Sequence, residues 1–174
     1  IIYEGYGQTE TVLCIGTFPG MKPKFGSMGR PSPGWQIELH DDQGRPVGLH
    51  EEGKIAISTK SRPVGMFREY LNRPDATRDK FIGDWLITGD LGQMDEDGYF
   101  WFHGRADDVI TSAGYRIGPS EIEDALLKHP GVKMAAVIGV PDPVRTEIIK
   151  AFIIPSAGVT PSEALAEELR ESVK

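Results

Sequence analysis

Hydrophobic and polar residues alternate along several short segments of the chain, and the period of this pattern changes near residue 104. Apolar and polar residues alternate through residues 35–40, which is typical of a half-buried strand. Farther along, Ile122, Ala125 and Leu126 fall on one face of a helix that His129-Pro130-Gly131 would end. The pattern predicts strands at residues 35–40, 53–58, 84–92, 99–103, 133–140 and 148–154, and helices at 119–128 and from residue 160 to the end of the chain.

Segments rich in glycine, proline and aspartate separate these predicted elements. Asp-Asp-Gln-Gly at residues 41–44 and Asp-Glu-Asp-Gly at 95–98 are typical of tight turns. Thr-Pro-Ser-Glu at residues 160–163 is a capping box with proline at the first helical position. We also expect residues 1–3 to end a buried strand, 4–11 to form a polar turn, 19–34 a loop, 72–77 a helical turn and 141–143 a turn.

The order of these elements indicates an α+β protein. We expect a small antiparallel sheet or distorted β-barrel across roughly the first hundred residues, followed by a smaller region that mixes helices and strands. The 21 glycines and 13 prolines favour many turns and short elements. A chain of 174 residues can hold one large domain or two small ones.

Net charge and cysteine content exclude some classes of function. A net charge of −7 argues against general nucleic-acid binding, which needs a basic surface, but a few arginines and backbone amides can still hold a nucleotide phosphate. The single cysteine, Cys14, excludes an intrachain disulfide and fits a reducing compartment. No apolar run is long enough to span a bilayer. We expect a cytoplasmic protein, or one of the mitochondrial matrix if it is eukaryotic.

Three polar segments carry candidate chemistry. Residues 4–11 combine two glycines, an aromatic ring, hydroxyls and carboxylates, a set that could approach a phosphate and hold Mg²⁺. Thr88-Gly89-Asp90 puts a carboxylate beyond a strand, where it could accept hydrogen bonds from sugar hydroxyls. Residues 104–116 contain several arginines, aspartates and glycines; by themselves they are most typical of a charged surface hairpin.

Taken together, these segments resemble the adenylate-forming superfamily of acyl- and aryl-CoA synthetases, peptide-synthetase adenylation domains and luciferases. The resemblance rests on Tyr6-Gly7-Gln8-Thr9-Glu10, Thr88-Gly89-Asp90, and Gly104-Arg105-Ala106-Asp107-Asp108 with Gly114-Tyr115-Arg116, in this order. Within the superfamily the chain is most similar to the medium-chain acyl-CoA synthetases, through residues 61–67, 112–121 and 141–147. The resemblance covers essentially the whole chain.

The resemblance implies two domains and a hinge. Residues 1–106 would be the C-terminal part of the large AMP-binding domain, and residues 107–174 a small mobile domain that is truncated. Asp107 would be the hinge about which the small domain rotates. The family's glycine-rich phosphate loop would lie upstream of residue 1 and its catalytic lysine beyond residue 174, so we expect the chain to be an inactive fragment of a longer enzyme.

The resemblance also implies roles for individual residues. Tyr6 would stack on adenine, Thr9 would contact the α-phosphate and Glu10 would help to hold Mg²⁺. Asp90 would bind the ribose hydroxyls, Arg105 the ribose–phosphate side of the nucleotide, and Arg116 would reach the nucleotide when the small domain closes. The implied ATP or AMP site comprises Glu4, Gly5, Tyr6, Gly7, Gln8, Thr9, Asp90, Phe102, Arg105 and Arg116; the implied coenzyme A site comprises Ala113, Gly114, Tyr115 and Arg145.

The implied activity is the ATP-dependent conversion of a carboxylic acid to acyl-AMP and then to acyl-CoA. Gly7 favours a medium-chain or aryl acid, since acetyl-specific relatives have a bulky aromatic residue at the matching position. Two alternatives stay open: an adenylation domain that loads a carrier-protein thiol, and a non-catalytic nucleotide-binding remnant of a synthetase. The sequence indicates neither a nucleic-acid partner nor the oligomeric state.

Overall fold

The computed structural model describes residues 3–173, and the chain divides into two compact units, Ile1–Ala106 and Asp107–Lys174. The mixture of antiparallel sheets and three helices in the described residues confirms the predicted α+β class. No helix within residues 3–173 is both long and apolar enough to cross a membrane.

The first unit is built from two antiparallel sheets. The elements of this unit are β1 (Gly5–Gln8), β2 (Val12–Gly16), β3 (Arg30–Pro31), β4 (Ile37–His40), β5 (Gly53–Ser58), α1 (Pro74–Arg78), β6 (Phe81–Ile82), β7 (Trp85–Met94) and β8 (Phe100–Arg105). A three-stranded sheet has the order β1-β2-β3, and a larger sheet has the order β4-β5-β7-β6, with β8 also paired to β7. An isolated bridge pairs Gly29, the residue before β3, with Phe100 of β8.

The two sheets do not close into a barrel among the described residues. Barrel closure needs continuous pairing around the sheet, and β3 and β6 each pair over only two residues. The core of the unit lies against the sheets, where Ile15, Ile55, Ile57 and Phe100 have no exposed surface. The expectation of antiparallel sheet is thus confirmed, and the described residues form no closed barrel.

The second unit is a four-stranded antiparallel sheet with two helices. The elements are β9 (Ile110–Ser112), β10 (Tyr115–Ile117), α2 (Pro119–Leu127), β11 (Val132–Asp142), β12 (Thr146–Pro155) and α3 (Glu163–Ser172). The strand order is β10-β9-β12-β11, and Ile110, Val137 and Leu169 form part of a separate core that includes side chains of the helices.

Two local predictions in the second unit are wrong. The turn expected at 141–143 lies farther along, because β11 continues through Asp142, whose Oδ1 accepts the N–H groups of Val144 and Arg145. Pro141 is accommodated because β11 is the edge strand, where a missing N–H donor costs little. The second error concerns helix α3, which begins after the cap Ser162 rather than at Thr160, since the Ser162 Oγ accepts the Leu165 N–H.

The glycine-rich start of the chain contains strands that the pattern did not predict. Residues 5–8 and 12–16 pair as β1 and β2, although residues 4–11 were expected to form a turn. The turn itself is confined to residues 9–11. The buried strand end predicted at residues 1–3 falls largely outside the described residues, and Tyr3, which is described, belongs to no strand and is half exposed.

Candidate functional site

An open cleft of about 450 Å³ lies where β1, β7 and β8 come together in the first unit. Pairing of β7 with β8 places Asp90 directly opposite Arg105, and β1 brings Tyr6 and Gln8 to the same carboxylate. Residues that are 84 positions apart in the chain therefore meet at one point. The cleft is lined by Gly5, Tyr6, Gly7, Gln8, Met28, Asp90 and Phe102.

Three donors converge on the carboxylate of Asp90. The Tyr6 hydroxyl donates to Oδ2 at 2.5 Å and the Gln8 Nε2 donates to the same oxygen at 2.6 Å. The Arg105 Nη1 donates to Oδ1 at 3.0 Å, which completes an ion pair. The Asp90 side chain is only 6% exposed, so these donors offset the cost of removing a carboxylate from water.

The strand backbone also supports this arrangement. Gln8 holds β7 through a second hydrogen bond, from its Nε2 to the Thr88 carbonyl at 3.2 Å. Thr88 is fully buried, and its Oγ1 accepts the Asp90 N–H at 3.1 Å while donating to the Ile55 carbonyl. The Asp90 side chain is therefore fixed from both its main chain and its carboxylate.

The phenol of Tyr6 stays protonated in the folded chain. Burial of the ring, and then its hydrogen bond to Asp90, raise the pKa of Tyr6 far above the ordinary value of 10.0. The neutral phenol can thus act as a donor to Asp90 at any physiological pH.

The aromatic surface that faces the cleft comes mainly from Phe102. This ring is 49% exposed, whereas Tyr6 is 9% exposed, and the two ring centroids are 6.5 Å apart at a tilt of 33°. An adenine base in the cleft would therefore find more accessible aromatic surface on Phe102 than on Tyr6. Phe102 belongs to the nucleotide site that the resemblance implied, whereas Met28 was not predicted, since nothing in its local sequence distinguishes it from other loop residues.

Gly7 packs too closely against β2 to accept a side chain in this backbone conformation. A Cβ at this position would lie 1.8 Å from the carbonyl oxygen and 2.5 Å from the carbonyl carbon of Val12. A bulge in the β1–β2 pairing occurs at the same place, between Tyr6 and Gly7. Close packing against Val12 therefore requires glycine at position 7, whatever effect Gly7 has on the size of the acyl pocket.

Glu10 lies in the turn after β1 and is held by a residue that the sequence did not indicate. The Tyr70 hydroxyl donates to Oε1 of Glu10, and the Phe67 N–H donates to the Glu10 carbonyl at 2.7 Å. Desolvation, followed by the contact with Glu10, raises the pKa of Tyr70 to about 12. Thr9 beside it is exposed, as is Glu4 before β1.

The chemistry around Glu10 fits Mg²⁺ that arrives with a nucleotide. Within residues 3–173 there is no cluster of three or more acidic, histidine or cysteine side chains that could hold a metal by itself. Mg²⁺ is commonly bound by one or two carboxylates together with substrate phosphates and water. The half-buried carboxylate of Glu10 suits this mode of binding, and it is the only such ligand that the sequence predicted.

The predicted coenzyme A residues meet at one end of the sheet in the second unit. Ala113 and Gly114 form the turn between β9 and β10, with φ of +50° and +86°. The Ala113 N–H donates to the Arg145 carbonyl at 2.9 Å, which joins this turn to the β11–β12 turn. Tyr115, Arg116 and Arg145 are all exposed there.

The hairpin predicted from residues 104–116 contains fewer residues than expected. Gly104 and Arg105 end β8 in the first unit, while the hairpin itself consists of β9 and β10, residues 110–117. Asp107 is the first residue of the second unit.

A larger cavity in the first unit contains none of the predicted site residues. It measures about 760 Å³ and is lined by Thr59, Arg62, Pro63, Val64, Met66, Phe67, Arg68 and Phe81. Its size does not identify it as the site, because the convergent polar groups lie in the smaller cleft around Asp90.

Comparison with protein families matches both parts of the chain. Residues 1–71 match the family model for AMP-binding enzyme, and residues 121–174 match the model for the AMP-binding enzyme C-terminal domain.

Curated relatives are similar along almost the entire chain. The acyl-coenzyme A synthetase ACSM3, mitochondrial, of Rattus norvegicus is 51% identical and aligns with 99% of this chain, which spans 30% of that relative. The 4-hydroxybutyrate–CoA ligase 1 of Metallosphaera sedula is 47% identical over 99% of this chain and 31% of its own length. The chain thus spans about a third of the length of these relatives.

Solved structures with nucleotides bound have the same fold. The ATP-bound RpMatB-BxBclM chimera B1 superimposes with a TM-score of 0.91 at 34% identity, covering 99% of this chain and 34% of the other. The anthranilate CoA ligase AuaEII in complex with anthranoyl-AMP gives a TM-score of 0.80 at 36% identity, over 98% of this chain and 31% of that one.

Proposed function

We propose that the protein carrying this chain is an ATP-dependent acyl-CoA synthetase. The premise is that the chain belongs to the AMP-binding enzymes, since both family models match it. The observation that carries the proposal is the convergence of Tyr6, Gln8 and Arg105 on the buried carboxylate of Asp90 at the edge of an open cleft. The names of relatives, acyl-coenzyme A synthetase and 4-hydroxybutyrate–CoA ligase, support the same activity.

In the proposed reaction a carboxylate oxygen of the acid attacks the α-phosphorus of ATP, and the bond to pyrophosphate breaks. The sulfur of coenzyme A then attacks the carbonyl carbon of acyl-AMP, the bond to AMP breaks and the thiol proton passes to solvent. Adenylyl transfer depends mainly on positioning and on neutralising charge, so the chain needs no nucleophilic side chain of its own.

Residues of the first unit would bind the nucleotide. Asp90, whose carboxylate is fixed by three donors, would accept hydrogen bonds from the ribose hydroxyls, since an ionised carboxylate accepts only. Phe102 and Tyr6 would contact the base, and Arg105 the ribose–phosphate side. Thr9, with its exposed hydroxyl, would contact the α-phosphate. Glu10 would hold Mg²⁺, which neutralises phosphate charge when it is bound.

Residues of the second unit would bind coenzyme A and complete the nucleotide site. The glycine turn at Ala113 and Gly114 leaves space beside the backbone for a thin pantetheine arm, since no atom beyond Gly114 and its two chain neighbours lies within 4 Å of a Cβ built on Gly114. Tyr115 would line the same path and Arg145 would contact the coenzyme A nucleotide. Arg116 would reach the first nucleotide when the small unit rotates about Asp107.

The preferred acid is proposed to be of medium length or aryl. The ligases of 4-hydroxybutyrate and anthranilate among the similar proteins support an acid larger than acetate. Gly7 supports it less strongly, because close packing against Val12 already requires glycine there. The word mitochondrial in the names of the mammalian relatives supports the matrix location if this protein is eukaryotic.

Pyrophosphate release tests the proposed function. A protein that carries this chain at the length of its curated relatives is incubated with ATP, Mg²⁺, coenzyme A and one acid at a time, from acetate through octanoate to benzoate. We expect acid-dependent pyrophosphate and acyl-CoA with octanoate or benzoate, and loss of both products in Asp90→Ala. Absence of pyrophosphate with every acid would contradict the proposal, and product formed only on a phosphopantetheinyl carrier protein would replace it with the carrier-loading alternative.

A further inference from the structure

Tyr70 lies outside the predicted site, and its side chain contacts Glu10, the predicted ligand of Mg²⁺. Its hydroxyl donates to Oε1 of Glu10, from a position 60 residues along the chain. In the part of the chain that the structure describes, the Glu10 carboxylate has no other hydrogen bond. The carboxylate orientation therefore depends on this single contact.

The phenol of Tyr70 is itself held on two sides. Its ring packs against Phe67 with centroids 5.0 Å apart, and Phe67 stacks on Phe81 at 6.1 Å with the rings nearly parallel. The Tyr70 N–H donates to the Oγ1 of Thr77, a residue of helix α1, at 3.0 Å. The aromatic packing fixes the ring, and the short helix fixes the main chain from which the ring extends.

The segment that carries Tyr70 also fixes the main chain of Glu10. The Phe67 N–H donates to the Glu10 carbonyl at 2.7 Å. Gly65 lies so close that a Cβ there would be 3.3 Å from the Thr11 carbonyl oxygen and 2.4 Å from a methyl group of Val12. Residues 65–70 thus pack against the turn at residues 9–11, and they hydrogen-bond to both the main-chain carbonyl and the side-chain carboxylate of Glu10.

We propose that Tyr70 is a positioning residue, whose hydroxyl holds one oxygen of Glu10 so that the other is directed to the Mg²⁺ bound with ATP. The proposal rests on the proposed function, because it takes Glu10 as the metal ligand. A glutamate side chain has several freely rotating bonds, and holding Oε1 removes most of that freedom before the metal arrives. Groups that hold a metal ligand from outside are generally worth a factor of 10–100 in metal affinity.

The test is the affinity for metal-bound nucleotide in Tyr70→Phe, which loses the hydroxyl and keeps the packed ring. The probe is Mn²⁺ with ATP, measured by the loss of the free Mn²⁺ spin resonance signal in a protein that carries the chain at the length of its relatives. We expect the variant to bind Mn²⁺–ATP about tenfold more weakly. Binding of AMP without metal should be unchanged, since Tyr70 does not line the cleft around Asp90.

A matched control separates positioning from a general loss of stability. Tyr99→Phe also removes a phenol hydroxyl with a hydrogen bond, here to the Lys22 carbonyl, and neither Tyr99 nor Lys22 lines the cleft around Asp90. This control should bind Mn²⁺–ATP as the wild type does. The Glu10→Gln background provides a second readout, because a residue that acts only through the Glu10 carboxylate should have no further effect once that carboxylate is replaced.

Each result supports or overturns the proposal. A tenfold loss in Tyr70→Phe that disappears in the Glu10→Gln background supports it. Unchanged Mn²⁺–ATP affinity in Tyr70→Phe overturns it, as does an equal loss of AMP binding or an equal loss in Tyr99→Phe. Wild-type protein that binds ATP no better with Mn²⁺ than without overturns the metal role of Glu10 itself, which is a failure of the proposed function and not of the contact.

Discussion

The hydrogen bond from Tyr6 to Asp90 should contribute to the free energy of unfolding, and this contribution can be measured without any ligand. Tyr6→Phe removes the hydroxyl and keeps the buried ring, so the main loss is the 2.5 Å hydrogen bond to a buried carboxylate. Hydrogen bonds to charged groups contribute roughly 1.5–3 kcal/mol. At pH 7 we therefore expect the variant to have a free energy of unfolding about 2 kcal/mol lower than that of the wild type.

The same bond gives the difference a characteristic dependence on pH. The pKa of Tyr6 is raised in the folded chain, so above the ordinary value of 10.0 the unfolded chain loses a proton that the folded chain retains. The stability contributed by Tyr6 is fully present below pH 10, and each further pH unit removes about 1.4 kcal/mol. The variant lacks this titration, so the two free energies should converge near pH 11.5, about 1.5 units above the ordinary pKa.

Urea unfolding of both proteins at intervals from pH 7 to pH 11.5, followed by tryptophan fluorescence, gives the required free energies. Tyr3→Phe serves as the control, because Tyr3 is half exposed and the loss of its hydroxyl should change the free energy of unfolding at pH 7 by less than about 0.5 kcal/mol. A difference between Tyr6→Phe and wild type that stays constant from pH 7 to pH 11.5 would refute the argument that the buried phenol is held protonated by its surroundings.

Three further substitutions test other parts of the structure. Gly7→Ala should lower the free energy of unfolding by about 3 kcal/mol, since the added Cβ would lie 1.8 Å from the Val12 carbonyl oxygen. A thermal unfolding midpoint equal to that of the wild type would contradict this packing. Ser162→Ala should cost about 1 kcal/mol through loss of the cap on Leu165; a smaller loss than that caused by Ser162→Gly would argue against the cap. Asp107→Pro fixes φ at the boundary of the two units, so in the proposed enzyme it should slow acyl-AMP formation and thioester formation to different extents. Asp107→Ala is the control, and equal slowing of both steps by Asp107→Pro would count against a hinge.

Elements with a clear pattern of apolar residues were predictable from the sequence. The strand expected at 53–58 is β5 (Gly53–Ser58), and the helix expected at 119–128 is α2 (Pro119–Leu127), within one residue at its end. β5 is a run of buried apolar residues bounded by turns, and in α2 the side chains of Ile122 and Leu126 recur at helical spacing on the side that packs into the core. β1 and β2 were not predicted, because a glycine-rich strand that bulges against its neighbour carries no regular alternation.

The candidate site was predictable only in part. The motifs around Tyr6, Asp90 and Arg105 pointed to these residues, and the structure brings them to one carboxylate. Their assigned contacts with nucleotide remain predictions. Tyr70 could not have been found in the same way, since the residues around it show only a helical turn and its partner lies 60 positions earlier.

The sequence by itself determined the α+β class, most strands and helices, and the three motifs through which the chain resembles adenylate-forming enzymes, because each depends on residues close together in the chain. The tertiary structure decided what those residues contact. The pairing of β7 with β8 sets Arg105 against Asp90, the close packing of β1 on β2 requires Gly7, and the segment before α1 brings Tyr70 to Glu10. These contacts join residues far apart in the chain, and their geometry follows from strand register and packing, which no local pattern of hydrophobic and polar residues specifies.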